Sequence, residues 1–291
     1  MSVSMQTTYS VILPAKNEAQ NLGRLLPLLR KNNQEMEIIV VNDGSCDETL
    51  AICNVYDVIV ISHPYSMGNG AAIKTGARAA SGDILVFMDA DGQHDPADIA
   101  KLLAKLEEGY DMVVGARDSA SQSSTGRLIA NTFYNRMSSW MTNHPILDLT
   151  SGFRAVRAGK FREFLHLLPN GFSYPTTCTM AFFRAGYAVA YVPIMVHKRI
   201  GASHIRPIQD GIRFLLIIFK IGTLYSPLKL FLPISLSIFS VGLIYYIHTY
   251  ITSGRFTNMS ALLFVSSILV FLIGLVSEQI TMLLYQGNER R

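Results

Sequence analysis

A chain of 291 residues is one or two domains. Its net charge of +4 comes without a basic helix interleaved with aromatics, so no nucleic-acid partner is expected. Three cysteines, Cys46, Cys53 and Cys178, lack CxxC spacing and read as reduced structural thiols, which suits a reducing compartment.

The apolar content is uneven. Residues 1–205 have the composition of a soluble domain, whereas from about 208 the chain is strongly apolar. The N-terminal MSVSMQTTYSVILPA has neither a positive n-region nor a long apolar core, so no secretory signal is expected and the first domain should stay in the cytoplasm. YSVILPA reads as a strand, AQNLGRLLPLLRKN as a helix, and EIIVVNDGS as a strand followed by a short helix from about Asp47. VYDVIVIS is a strand. GNGAAIKTGARAASG is a small-residue helix closed by Gly82, and DILVFMDADG is a strand. DPADIAKLLAKLEEG is a helix with Pro96 in its first turn and Gly109 at its C-cap, and DMVVGAR is a strand. A polar loop at 118–126, a helix at about 127–141, the stretch ILDLTSGFRAV, further helices to about Gly186 and the strand YAVAYVPIMVHKR complete the domain. Near-continuous Val/Ile strands alternating with helices mean an α/β domain with a largely parallel sheet covered on both faces.

The segment 206–226, dense in Ile, Leu and Phe with Arg206, Arg213 and Lys220 interspersed, reads as an interfacial amphipathic helix. Two apolar runs follow, at about 228–251 and 259–285, each longer than the ~20 residues that cross a bilayer. The connector TSGRFTN makes them a transmembrane hairpin. Lys220, Lys229, Arg290 and Arg291 flank its open side against Arg255 alone in the connector. The catalytic domain and both termini are therefore expected on the cytoplasmic side of the inner membrane. Glu278 lies within the second run, near the cytoplasmic interface, where it needs a partner.

Ligands of such sheets bind at the carboxyl ends of strands, and the polar clusters sit there: Asn17 and Glu18, Asn42 and Asp43, Asp89 and Asp91. Asp89 and Asp91, at i and i+2 on one turn, can both face a hard cation, with Gln93 as a third oxygen ligand; Mg²⁺ is commonly held by such carboxylates plus substrate phosphates. An EF-hand loop would require Gly where His94 stands and Glu where Ala100 stands, and a DxDx[TV] phosphatase turn would require Thr or Val at Gln93. Asp95 before Pro96 reads as a helix cap. GNGAAIKT fails the P-loop pattern at Ile73, but its glycines allow a close backbone approach to a ligand and Lys74 could reach a phosphate. Arg117, Arg127, Arg136, Arg154, Arg199 and Arg206 are candidate anion binders. Arg117 is favoured because it ends a strand on the same rim, and Arg127 because it opens a helix.

Taken in order, PAKNEAQNL, VVNDGSCDET, GNGAAIKTGARAASGDILVFMDADGQHDP, VVGAR, LDLTSGFRAV and HKRIGASHIRP before two spans resemble glycosyltransferase family 2, of the GT-A fold. Within it the chain is similar to the polyprenyl-phosphate glycosyltransferases, the group of dolichyl-phosphate mannose synthases and their bacterial undecaprenyl-phosphate relatives. The resemblance implies inverting transfer from a nucleotide-diphosphate sugar, UDP- or GDP-linked, to a polyprenyl phosphate, with Mg²⁺ or Mn²⁺. It implies that Pro14, Lys16, Glu18 and Asp43 face the nucleoside, and that Asp89, Asp91 and Gln93 hold metal and diphosphate. It further implies that Arg117, Arg127, Asn131 and Arg199 or Ser203 meet the acceptor phosphate, and that Asp148 belongs to the active site beside Asp89, Asp91 and Arg117. A homo-oligomer is expected, a tetramer among its forms. Two departures leave the sugar unassigned: Asn69 where relatives often have Lys, and Ser203-His204 where many have Ser-Lys. The QxxRW motif of processive synthases is absent, the single tryptophan being Trp140. Transfer to a lipid or glycan hydroxyl, and a non-catalytic nucleotide-sugar-binding membrane module, are the alternatives.

Overall fold

The computed structural model describes residues 7–32, 35–117, 125–171, 173–196, 219, 222–223 and 225–286, with backbone alone at 125–131 and 284–286. Arg199, Ser203 and most of 206–226 lie outside these residues, and the side chains of Arg127 and Asn131 are not described. The chain forms two compact units, Met1–Ile205 and Arg206–Arg291.

The first unit runs β1 (Tyr9–Ala15), α1 (Ala19–Asn32), β2 (Glu37–Asn42), α2 (Thr49–Cys53), β3 (Ile59–Ser62), α3 (Asn69–Ala79), β4 (Ile84–Phe87), α4 (Asp98–Glu107), β5 (Met112–Arg117), α5 (Thr125–Thr142), β6 (Arg154–Arg157), α6 (Ala158–Glu163), α7 (Tyr174–Arg184) and β7 (Val189–Ile194). The sheet order is β3-β2-β1-β4-β6-β5-β7. The chain winds outward from β1 through β2 to β3, then returns to lay β4 on the other side of β1. That reversal opens a crevice between the ends of β1 and β4, where α/β sheets bind ligands. Pairing is parallel except at β6, which runs antiparallel to both β4 and β5. β2 and β4 are apolar at nearly every position because both sheet faces are covered. Leu22, Leu25, Leu26 and Leu29 of α1 and Ile99, Leu102 and Leu106 of α4 pack on one face with Val11, Leu13, Val40 and Val86.

Three local expectations are revised. β6 was not legible as a strand: RAVR is four residues long with a charge at each end. α3 stops at Ala79, with Ala80 extended at ψ 135°, so Gly82 is not its cap. Gly82 instead lies against β1, where a Cβ would come 2.6 Å from Ser10 Oγ. Pro96 falls in a turn ahead of α4, in which Asp95 Oδ1 accepts the Ala97 N–H at 2.9 Å.

The second unit is a helical hairpin, α8 (Pro227–Ser253) and α9 (Asn258–Gln286). Both are long and apolar enough to span a bilayer, with mean hydropathies of 2.0 and 2.6. Only 11% and 17% of their most apolar windows are buried, which does not fit core helices of a soluble protein. Small residues let the helices close. A Cβ at Gly274 would lie 2.7 Å from Phe231 Cβ, and Ser235 Oγ donates to Ser267 O at 3.0 Å. Glu278 accepts the Leu228 N–H at 3.2 Å, in the first turn of α8, where a helix leaves its amides unpaired.

Candidate active site

The crevice is a cleft of about 380 Å³ lined by Pro14, Ala15, Lys16, Glu18, Asp43, Ser66, Gly68, Asn69, Ala72, Asp89, Ala90 and Asp91. Its size fits a small-molecule ligand. Strands β1, β2 and β4 thus deliver Lys16, Glu18, Asp43, Asp89 and Asp91 to one place.

Asp43 follows β2 and is buried. Its Oδ1 accepts from His63 Nδ1 at 2.7 Å and Met67 N at 2.8 Å, and its Oδ2 from Ser66 Oγ at 2.8 Å and Gly68 N at 2.9 Å. Burial alone would push its carboxyl up, but these bonds outweigh it and hold Asp43 below the usual range. His63 Nε2 meets Thr75 Oγ1 at 2.9 Å, and Lys16 Nζ donates to Ser66 Oγ at 3.0 Å. Asp43 therefore organises the 63–68 loop as one wall of the cleft. The chain between β2 and that loop is tight. Gly44 has φ +66°, and a Cβ there would lie 2.7 Å from Ser66 N.

Asp89 and Asp91 follow β4, with Gly92 at φ +71° turning the chain and Gln93 N donating to Asp91 Oδ1 at 3.1 Å. Opposite them a Cβ at Gly152 would sit 2.8 Å from Asp89 Oδ2, so this carboxylate lies directly against backbone. Among the described residues no three His, Cys, Asp or Glu side chains gather into a metal cage. The lining carries four carboxylates and one ammonium. A diphosphate entering such a cleft needs a divalent cation to offset that repulsion, and an all-oxygen carboxylate pair suits Mg²⁺ or Mn²⁺.

Arg117, at the end of β5, is paired with Asp148: Nε to Oδ2 at 2.7 Å, Nη2 to Oδ1 at 2.9 Å. Arg117 N also donates to Oδ2 at 3.2 Å, and Asp148 Oδ1 accepts from Thr150 N and Ser151 N, both at 3.1 Å. Burial would raise Asp148, but the Arg117 bonds and charge dominate and hold it low. Burial would lower Arg117, and Asp148 and Asp89 raise it. Beside them His94 stacks on Phe153 with ring centroids 4.9 Å apart, and burial pulls its imidazole down to about 4, so it is neutral at pH 7.

Lys74, Gly70 and Arg154 are engaged by the chain itself. Lys74 does not line the cleft; its Nζ donates to Leu168 O at 3.1 Å and to Asn170 Oδ1. Of the glycines in GNGAAIKT, Gly68 lines the cleft, whereas Gly70 meets the chain itself: Gly70 N donates to Gly171 O at 3.2 Å and Ala71 N to Asn170 O at 2.8 Å. Arg154 is fully buried and is no surface anion binder. Sequence reasoning missed His63, Ser66 and Thr75, although His63, directly after β3, met the same strand-end criterion that found Asp43.

A switch-point cleft floored by paired carboxylates, on a chain that also carries a long apolar hairpin, is the architecture of a GT-A glycosyltransferase with its own membrane element. Residues 10–165 match glycosyl transferase family 2, and residues 226–283 match the GtrB C-terminal hairpin. The chain belongs to glycosyl transferase family 2. It is 37% identical over 158 residues to the undecaprenyl-phosphate 4-deoxy-4-formamido-L-arabinose transferase of Proteus mirabilis, covering 51% of this chain and 48% of that one. The chain thus spans about half the length of that relative. To the putative glycosyltransferase CsbB of Bacillus subtilis it is 27% identical, over 98% of this chain and 90% of that one. Glucosyl-3-phosphoglycerate synthase from Mycobacterium tuberculosis, solved with Mn²⁺ and UDP-glucose, shares the fold at a TM-score of 0.59 and 24% identity, over 74% of this chain and 78% of that one.

Proposed function

We propose that the protein is a membrane-anchored, inverting glycosyltransferase that moves a sugar from a nucleoside diphosphate to a polyprenyl phosphate such as undecaprenyl phosphate. The observation that carries this is the Asp89/Asp91 pair at the switch-point cleft, in a chain that brings its own apolar hairpin to the lipid. The Proteus relative is named for an undecaprenyl-phosphate substrate, and the Mycobacterium neighbour binds Mn²⁺ and UDP-glucose.

In this reading Pro14, Lys16 and Glu18 contact the nucleoside, and Asp43 shapes the wall they share with Ser66 and Gly68. Asp89, Asp91 and Gln93 would hold Mg²⁺ or Mn²⁺, which supplies charge neutralisation to the diphosphate. An acceptor phosphate oxygen forms the new bond to the anomeric carbon as the carbon–oxygen bond to the diphosphate breaks, and the nucleoside diphosphate leaves. Arg117, fixed by Asp148 and within the electrostatic reach of Asp89 although outside the cleft lining, would meet the charge that passes between the two phosphates. Arg127, Asn131, Arg199 and Ser203 are further acceptor-phosphate candidates. Asp148 orients Arg117, its oxygens being committed to that arginine and to Thr150 and Ser151. A phosphate monoester needs no base, since its second pKa of about 6 leaves it mostly ionised at pH 7. That favours a phosphate over a hydroxyl acceptor. The catalytic unit and both termini are assigned to the cytoplasmic side, in a homo-oligomer.

The test supplies the purified full chain with radiolabelled UDP- and GDP-sugars, undecaprenyl phosphate and Mg²⁺ or Mn²⁺. Labelled lipid phosphate sugar is expected from one donor; no lipid product with any donor sinks the proposal. Asp91→Ala should lower kcat by about 100-fold or more at unchanged melting temperature. Retained turnover would separate this turn from the chemistry.

A further inference from the structure

Arg154 is the largest fully buried side chain among the described residues, and nothing in the transfer reaction calls on it directly. It opens β6, opposite Phe87 of β4 and Val114 of β5, in the middle of the sheet. A lone ion so deep is costly, because several kcal/mol of hydration are lost and only a close partner returns them. Arg154 belongs to none of the ion pairs among the described residues. Nη1 donates to Pro175 O at 3.0 Å and Thr179 Oγ1 at 3.3 Å, Nη2 donates to Ser151 O, and Nε finds no partner. The guanidinium lies 5.8 Å from the centre of the Tyr174 ring.

The contact to Ser151 explains why a cation is kept there. Ser151 N donates to Asp148, which grips Arg117. Gly152 presses on Asp89, and its carbonyl accepts the Tyr174 hydroxyl at 3.1 Å. The Phe153 ring stacks on His94, and its carbonyl accepts Gly115 N at 2.9 Å. Three consecutive residues thus each touch a different group of the site, and the fourth, Arg154, turns back to hold the first. Tyr174, packed beneath the guanidinium, holds the second. Burial raises the Tyr174 hydroxyl, and the Arg154 charge beside the ring pulls it down.

We infer that Arg154 is a positioning residue: it bolts the 148–153 turn from below and so sets the Arg117–Asp148 pair and the seat of Asp89. The inference rests on the proposed transfer reaction only for its kinetic readout. An apolar side chain could fill the space without holding Ser151 O. Removing an unpaired buried charge relieves its desolvation cost, which offsets the hydrogen bonds lost to Pro175, Thr179 and Ser151, so stability and activity should part company.

The experiment compares the full chain with Arg154→Met and Arg154→Lys by thermal melting, by amide hydrogen exchange and by steady-state kinetics. Arg154→Met should melt within a few degrees of wild type while the amides of Arg117, Thr150 and Ser151 exchange about tenfold faster or more. Its kcat should fall by about 100-fold, the scale of a small misplacement of reacting groups, with donor KM changed less than about threefold. Arg154→Lys, which keeps one donor and the charge, should recover part of both. Unchanged exchange of that turn, kcat within about threefold of wild type, or activity lost only in step with melting each overturn the inference. If Arg154→Met does not fold, Arg154→Lys carries the same readouts, and a folded lysine variant with wild-type kcat and exchange overturns it. Exchange needs neither donor nor acceptor. A wild-type chain without turnover, whose Arg154→Met variant still exchanges faster at that turn, therefore sinks the proposed reaction and leaves the bolt standing.

Discussion

Asp43 accepts four hydrogen bonds with a single carboxylate, and the consequence is a pH dependence of stability. Its folded pKa lies below the unfolded value of about 3.9. A group depressed in this way stabilises the fold fully above its unfolded pKa and loses that contribution as pH falls through the folded pKa. Melting temperature should therefore drop steeply below pH ~4. Asp43→Asn should start lower at pH 7 and show a shallower acid limb. Asp47 and Asp148 are depressed in the same direction, so the limb should flatten without vanishing. Parallel limbs for wild type and variant would rule Asp43 out as a contributor. At this scale the sequence was informative about position and less so about role. Asp43, Asp89 and Asp91 all stood out because each follows a strand. That Asp43 spends its oxygens on His63, Ser66 and the 67–68 backbone was invisible, since those partners lie 20–25 residues away and are joined only by the β2–β3 pairing. Arg154 was misjudged for the same reason: an arginine reads as solvated until the sheet that covers it is known.

α3 shows how an element can resemble a ligand site and serve the fold. Its glycines allow a close backbone approach and Lys74 could reach a phosphate, but the 168–171 segment meets Gly70, Ala71 and Lys74 with carbonyls and an amide oxygen. A Cβ at Gly70 would lie 2.0 Å from Pro169 O, a contact no side chain tolerates. Gly70→Ala should thus destabilise the protein by about 1–3 kcal/mol through overpacking. Lys74→Met should cost about 1–2 kcal/mol from its lost hydrogen bonds. Neither the bonds of Lys74 nor its location outside the cleft lining predicts a change in donor affinity beyond about twofold. Chemical denaturation and donor KM, measured on the same preparations, check both. A Lys74→Met enzyme of normal stability with KM raised about tenfold would return Lys74 to the phosphate. The longer helices are legible from their periodicity, and the parallel strands, even the four-residue β3 and β4, from their runs of apolar residues. β6 escapes because its four residues carry an arginine at each end, and with it go Gly152 to Arg154 beside the site.

The molecule joins a polar, carboxylate-lined cleft to a hairpin that hydrocarbon would solvate, and the hairpin's charges suggest which way it faces. Its spans are strongly apolar, and Arg255 alone is basic in the connector, against Lys220, Lys229, Arg290 and Arg291 flanking the pair in sequence. The energetic basis is the bias of basic residues against translocation, counted over short loops such as this one. It predicts that the connector faces away from the compartment holding the donor, and the native cysteines allow a direct measurement. Cys46 is exposed, whereas Cys53 and Cys178 are buried, so a single surface thiol already marks the catalytic unit. Ser253, at the exposed end of α8, can supply a second. In intact cells an impermeant maleimide should label Ser253→Cys in a Cys46→Ser background and leave the otherwise unaltered chain, with Cys46, unlabelled. After permeabilisation Cys46 should label as well. Labelling of Cys46 from outside, with Ser253→Cys protected, would invert the molecule and put the cleft on the side without nucleotide sugars. The assigned orientation and the proposed donor would then fall together.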